Sequence, residues 1–360
     1  MNYIKSKMVS SEGRCSYIDI SKGIGILLVV YGHLVGYRYT FDEGMHLRGF
    51  IFSFHMPLFF IISGICLYMK SKKVDLSVNL KKLVRRLIVP YLLWSLVYFL
   101  ILIGIKIVKY NKIADFHTRI VNDLYDTFSL CGMAPMWFLI ALFFGEILFI
   151  VTWKQFKNNN KAYIGIMVLT MILSLVFSDV CNLDRAQEIS IKKDIVITTL
   201  RILPTYSFIC FGYLLGVLLD RDKIKKINPF IIVTISLVLL YATDIIGKKS
   251  DNLVDLQYFM LGDYEQYYIA SLLGSLGIIG IAIAINKFKP LEWMGRNSLL
   301  IMMIHYPFLS LMRIDRYIVN ILPSINQTFC GSIVVLGVVV AICVLGTYII
   351  KHNKVLNVLS

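Results

Sequence analysis

What this chain has little of is charge. Asp, Glu, Lys and Arg make up 16% of its 360 residues, while 58% are hydrophobic; a soluble domain carries about a quarter charged residues. The apolar residues stand in long blocks, which excludes a soluble or disordered chain and points to an integral membrane protein. A net charge of +15 would suggest nucleic acid in a soluble protein. In a membrane protein the placement of charge matters more than its sum, and no nucleic-acid partner is expected. The seven cysteines are scattered and form no Cys-x-x-Cys, so neither a zinc site nor a disulfide framework is indicated, and no metal is expected. The chain also lacks an internal repeat, a Gly-rich phosphate loop, a Gly-x-Ser-x-Gly elbow and a His-Glu-x-x-His motif. Any chemistry must come from side chains inside a helical bundle.

The apolar blocks give ten spans, at roughly 18–36, 47–69, 87–108, 135–153, 161–178, 195–219, 229–246, 264–285, 297–313 and 330–350. The expected fold is an all-α polytopic membrane protein of about ten transmembrane helices. One set of alternate loops holds 22 of the 37 basic residues, which places both termini in the cytoplasm. The first span is too long for a cleaved leader and has no small-residue cleavage site after it. The expected organisation is a cytoplasmic tail over 1–17, a transmembrane domain over 18–350 and a cytoplasmic tail over 351–360. The outer segments 109–134, 179–194 and 247–263 are long enough to form lids or interfacial helices.

Asp19, Lys22 and His33 fall on one stripe of the first span. Lys22 and His33 are eleven residues apart, about 16 Å along a helix axis. A titratable ring in lipid is costly and marks a functional site by default, here a base or nucleophile; the alternative is a neutral ring bonded to a neighbouring helix. Asp19 and Lys22 also read as an interfacial ion pair. His55 precedes Pro57, which frees the carbonyl of Ser53 from its helical partner, and His55 is placed to bond a freed backbone group. Ser63-Gly64 suits close helix packing. Lys81, Lys82, Arg85 and Arg86 sit at the cytoplasmic edge, where they anchor on anionic lipid or grip phosphates. Arg201 is placed to snorkel to the outer interface, and Trp137 fits an interfacial aromatic belt. Glu146 lies near the midplane and needs a donor or a proton. Counting from span ends puts His33 and His55 in the outer half and His305 lower in the bundle.

Several ordered motifs together resemble the membrane-bound acyltransferase 3 family of bacterial cell-surface glycan O-acyltransferases. They are Asp19 to His33, Phe54-His55-Met56-Pro57 to Gly64, the basic run to Pro90-Tyr91, Met136-Trp137-Phe138-Leu139, Phe211-Gly212-Tyr213, and Met294-Gly295-Arg296-Asn297 with Ile304-His305. The resemblance covers nearly the whole chain and implies an enzyme of the inner (plasma) membrane. Its basic residue–x10–His pattern, matched by Lys22 and His33, gives His33 the catalytic role; Asp19 is the second catalytic candidate, and Lys22 falls on the acyl-donor side. Its Arg-x-x-Arg pair is matched most nearly by Lys82 and Arg85, with Arg86 adjacent. His55, Trp137, Arg201 and His305 become supporting or acceptor-side residues. The implied donor is acetyl-CoA or another acyl-CoA, used as co-substrate with no bound cofactor. The implied acceptor is a hydroxyl of a cell-surface glycan or a lipid-linked sugar, and membrane lipids are the remaining partner. The competing expectation is a transporter or flippase for a glycan or anion. A succinyl donor is a further variant of the enzyme reading.

Overall fold

Small residues decide which helices meet at the centre of this computed structural model, which describes residues 15–35, 44–109, 114–157, 159–181, 191–220, 227–249, 254–262, 264–354 and 356–359. Most of the expected N-terminal tail lies outside these residues. The chain runs through helices α1 (Ser16–Leu34), α2 (Gly44–Ser71), α3 (Leu80–Leu83), α4 (Val89–Lys109), α5 (Ala114–Phe128), α6 (Trp137–Phe156), α7 (Asn160–Cys181), α8 (Ile191–Leu200), α9 (Ile202–Leu219), α10 (Pro229–Lys249), α11 (Tyr264–Ile285), α12 (Lys289–Arg296), α13 (Ser298–Tyr306), α14 (Ile314–Ile321) and α15 (Phe329–His352). Among the described residues there is no strand; an isolated bridge joins Asp255 and Met260.

Helix α2 is the hub. A Cβ added to Gly64 would stand 2.1 Å from the Ile209 carbonyl oxygen, and one added to Gly212 would stand 2.0 Å from that of Ile61. Helices α2 and α9 therefore touch backbone to backbone, which lipid-embedded helices achieve only with small residues. Helix α1 meets α12 in the same way: Gly23 abuts the Leu291 carbonyl and Gly295 abuts the Asp19 carbonyl, at 2.2 and 1.8 Å from the added Cβ. The outward faces of α4, α7, α10 and α15 carry exposed Leu96, Val168, Val238 and Leu345. These large apolar side chains have no protein to cover them, as expected of a lipid-facing belt.

Nine segments among the described residues are long and apolar enough to cross a membrane. The tenth expected span is the exception. Ser298–Leu309 is apolar but short, about 18 Å at helical rise against a core of about 30 Å. Pro307 opens a π turn over Pro307–Leu311 that ends α13, because proline removes a helical donor. Helix α13 is buried from Leu300 to His305, and Pro307 and Leu309 of the turn are buried as well, so this irregular backbone is covered by protein, as it must be at membrane depth. The segment 109–134, expected on the outer side, does hold a helix, the amphipathic α5.

Basic side chains gather at one end of the bundle: Lys70 in the last turn of α2 and Lys73 after it, Lys82, Arg85 and Arg86 before α4, Lys154 in α6, and Arg296 in α12. This is the basic end, and the opposite one is the far end.

Candidate active site

Two cavities open from opposite ends of α1. The larger, about 780 Å³, lies at the basic end and is lined by Asp19, Lys22, Lys82, Arg86 and Arg296, among others. The smaller, about 310 Å³, lies at the far end and is lined by His33, Arg48, His55, Trp137, Tyr98 and Tyr306, with Asp123, Asp126 and Asp255. An aromatic layer stands between them. Phe59 and Phe138 line the basic-end cavity, with ring centroids 5.9 Å apart. Phe138 packs on Phe60 at 5.1 Å and on Trp137 at 6.4 Å, and Trp137 belongs to the far cavity. Lys22 and His33 thus reach different cavities from one helix face.

At the basic end a π turn over Val84–Ile88 follows α3. Its wide turn keeps Lys82 and Arg86, four apart, on the cavity side. Arg85 is exposed and does not line the cavity. Arg86 is paired with Glu146, which also accepts a 2.7 Å hydrogen bond from Ser63. That answers the burial of Glu146, whose side chain is 5% exposed; a buried carboxylate without such partners is strongly unfavourable. Ser63 is therefore a donor to Glu146, while Gly64 beside it makes the close packing. No Asp19–Lys22 ion pair appears among the described residues. Sequence reasoning did not single out the cation of Arg296, although its motif Met294-Gly295-Arg296-Asn297 was visible.

At the far end, His33 Nδ1 lies 2.9 Å from His305 Nε2. His305 is fully buried, and its Nδ1 lies 3.1 Å from the Ile301 carbonyl. The expected lower position of His305 is thus corrected. Because Gly295 packs against Asp19, α13 starts inside the bundle, and His305 comes level with His33. His55 donates from Nδ1 to the Ile51 carbonyl at 2.9 Å, within its own helix. The carbonyl of Ser53 that Pro57 frees is taken instead by Ser271 of α11, at 2.6 Å. Phe52 joins the two histidines, with centroids 5.9 Å from His33 and 4.8 Å from His55. Arg48 stacks on Phe52 at 4.0 Å and donates to the Gly32 carbonyl at 2.9 Å. Residues 48, 52 and 55 share a helical stripe, a period that could have pointed to Arg48.

Arg201 does not snorkel. It is fully buried and donates to the carbonyls of Leu130 (2.8 Å), Cys131 (2.8 Å) and Gln257 (3.0 Å). It also stacks 5.6 Å from the Trp137 ring. It pins two far-end loops that wall the far cavity. Trp137 is likewise buried rather than part of an exposed belt. Burial pushes the Asp255 carboxyl above the usual carboxylate range, against the opposing pull of its hydrogen bond from Gln257 and of Arg48 and Arg201. Asp126, Cys131 and Asp194 bring ligand atoms within 4.8 Å of one another, beside the Arg201 guanidinium that binds the Cys131 carbonyl.

A family model for an acyltransferase domain, acyltransferase 3, matches residues 16–348. The chain belongs to the acyltransferase 3 family. No curated protein and no solved structure matches the chain. The match runs from the first turn of α1 to near the end of α15, so the family domain holds the whole far cavity of this acyltransferase and all of the basic-end lining but Cys15. With nine apolar spans among its described residues, it is a multi-pass membrane acyltransferase.

Proposed function

We propose that this acyltransferase moves an acyl group, acetyl in the first instance, from an acyl-CoA at the basic end to a hydroxyl of a glycan at the far end. The acceptor is an extracytoplasmic or lipid-linked cell-surface glycan. The observation that carries the reading is the pair of cavities at opposite ends of the Lys22–His33 stripe, in a chain of an acyltransferase family. The positive-inside rule turns the basic end to the cytoplasm, where acyl-CoA is made, and so sets the chain in the inner (plasma) membrane.

Each cavity suits its part. Lys22, Lys82, Arg86 and Arg296 offer charge-assisted donors to the phosphates of the donor. The gap from Lys22 to His33, about 16 Å, is comparable to a pantetheine arm, which would carry the thioester through the aromatic layer. The far cavity combines the faces of Trp137, Tyr98 and Tyr306 with the hydrogen-bonding groups of Asp123, Asp126, Asp255 and Gln257. Such a lining fits the apolar face and hydroxyls of a sugar ring.

The chemistry is proton abstraction coupled to acyl transfer. His33 takes the proton of the acceptor hydroxyl as its oxygen attacks the thioester carbonyl. The carbon–sulfur bond breaks, the CoA thiolate leaves, and the imidazolium returns the proton to sulfur. Asp19, at the other end of the stripe, lines the donor cavity rather than the far one, and the reading assigns it to the donor side. The test is a purified-protein assay of CoA release from acetyl-CoA with isolated surface glycan or its lipid-linked precursor. Release should depend on the acceptor, and His33→Ala should lower it about 10³-fold. Full turnover in His33→Ala would overturn the mechanism. Movement of glycan across vesicles without acyl transfer would favour the transporter instead.

A further inference from the structure

The contact between His33 and His305 carries more than proximity. A carbonyl oxygen only accepts, so the 3.1 Å contact with Ile301 requires His305 to carry its proton on Nδ1. A neutral imidazole has one N–H and one lone pair. His305 Nε2 is then the acceptor in the 2.9 Å contact with His33 Nδ1, and His33 must hold its own proton on Nδ1. In the neutral ring the second nitrogen of His33, Nε2, is then the one that carries the lone pair. One backbone carbonyl thus sets the tautomers of two rings in sequence, as a second partner of a histidine generally does.

We infer that His305 is the positioning residue that fixes His33 in its Nδ1–H form, making Nε2 the atom that takes the acceptor's proton. The inference rests on the acyl-transfer reading for its purpose, but its geometry stands by itself. When His33 gains a proton at Nε2, its Nδ1–H still points at the His305 lone pair, so no ring has to turn during the reaction. His305 is also well held. Tyr98 donates to the Met303 carbonyl at 2.7 Å and stacks on Tyr306 at 5.6 Å, which fixes α13 on both sides of the ring. The contact of Gly295 with Asp19 sets the depth of α13 against α1. Free histidine in water prefers the Nε2–H form, so the assigned tautomer is the minor one and its detection is diagnostic.

The experiment is solid-state NMR of the full chain in lipid bilayers, labelled with 15N-histidine, with His33→Gln and His305→Gln spectra used to assign the two rings. Expected is Nδ1–H for both His33 and His305 in the unsubstituted chain. In His305→Leu, which removes the acceptor, His33 should shift to the Nε2–H form. Turnover of acetyl-CoA should then fall about 10²-fold with the KM for acetyl-CoA unchanged, because the donor is held at the other end. His305→Gln, whose Oε1 accepts near the position of the lost Nε2, should restore both the tautomer and most of the rate. Finding His33 as Nε2–H in the unsubstituted chain would overturn the inference. So would a His33 tautomer unaffected by His305→Leu. If His305→Leu does not fold, the unsubstituted and His305→Gln spectra still decide. Absence of acyl transfer alongside the assigned tautomers would count against the function and for the dyad.

Discussion

The two ends of the bundle use positive charge in opposite ways. At the basic end, Lys82 and Arg296 are exposed and line a cavity. At the far end, Arg201 is fully buried and serves backbone carbonyls of two loops. The first arrangement leaves donors for a ligand. The second turns both terminal nitrogens of its guanidinium to carbonyls inside the protein. A cation's sign and its membrane depth therefore say little about its role; what its donors face decides.

This contrast can be broken experimentally, starting with the largest effect. Arg201→Met leaves the carbonyls of Leu130, Cys131 and Gln257 without the donor that holds them. At about 1–3 kcal/mol for each group so exposed, the loss should be about 3 kcal/mol or more. It should appear as a large fall in melting temperature in detergent, with activity lost through the cavity wall. A variant that melts like the parent would remove the structural half of the comparison. At the basic end the pattern should invert. Lys22→Ala and Lys82→Ala should each raise the KM for acetyl-CoA about 10-fold, equivalent to about 1.4 kcal/mol. Their melting temperatures should match the parent, since neither ammonium has a carboxylate partner among the described residues. A fall in stability without a change in KM would assign these lysines to the fold instead.

The same contrast explains what could be read from sequence. Helix periodicity is local, so the Lys22–His33 stripe, its length and its polarity were legible, as were nine of the spans. The basic end was legible because charge placement follows membrane sidedness. The depth of His305 was not, because it depends on Gly295 meeting the Asp19 backbone, a contact between residues far apart in sequence. Arg201 was misplaced for a similar reason: its acceptors come from loops around 130 and 257. The choice of Arg86 over Arg85 follows from a π turn that residue spacing alone does not announce. Arg48 was within reach, since it stands on one stripe with Phe52 and His55. Pro57 signalled the freed Ser53 carbonyl, but not that Ser271 of α11 would claim it.

The central claim is that donor and acceptor enter from opposite ends and meet at His33. The most direct measurement uses sealed proteoliposomes in which protein orientation is scored by protease cleavage of a C-terminal tag. Labelled acetyl-CoA, which does not cross the bilayer, is supplied to one face and glycan acceptor to the other. The account predicts acyl transfer only when acetyl-CoA faces the basic end and the glycan faces the far end, with the signal abolished by His33→Ala. Transfer from acetyl-CoA supplied solely at the far end would contradict it.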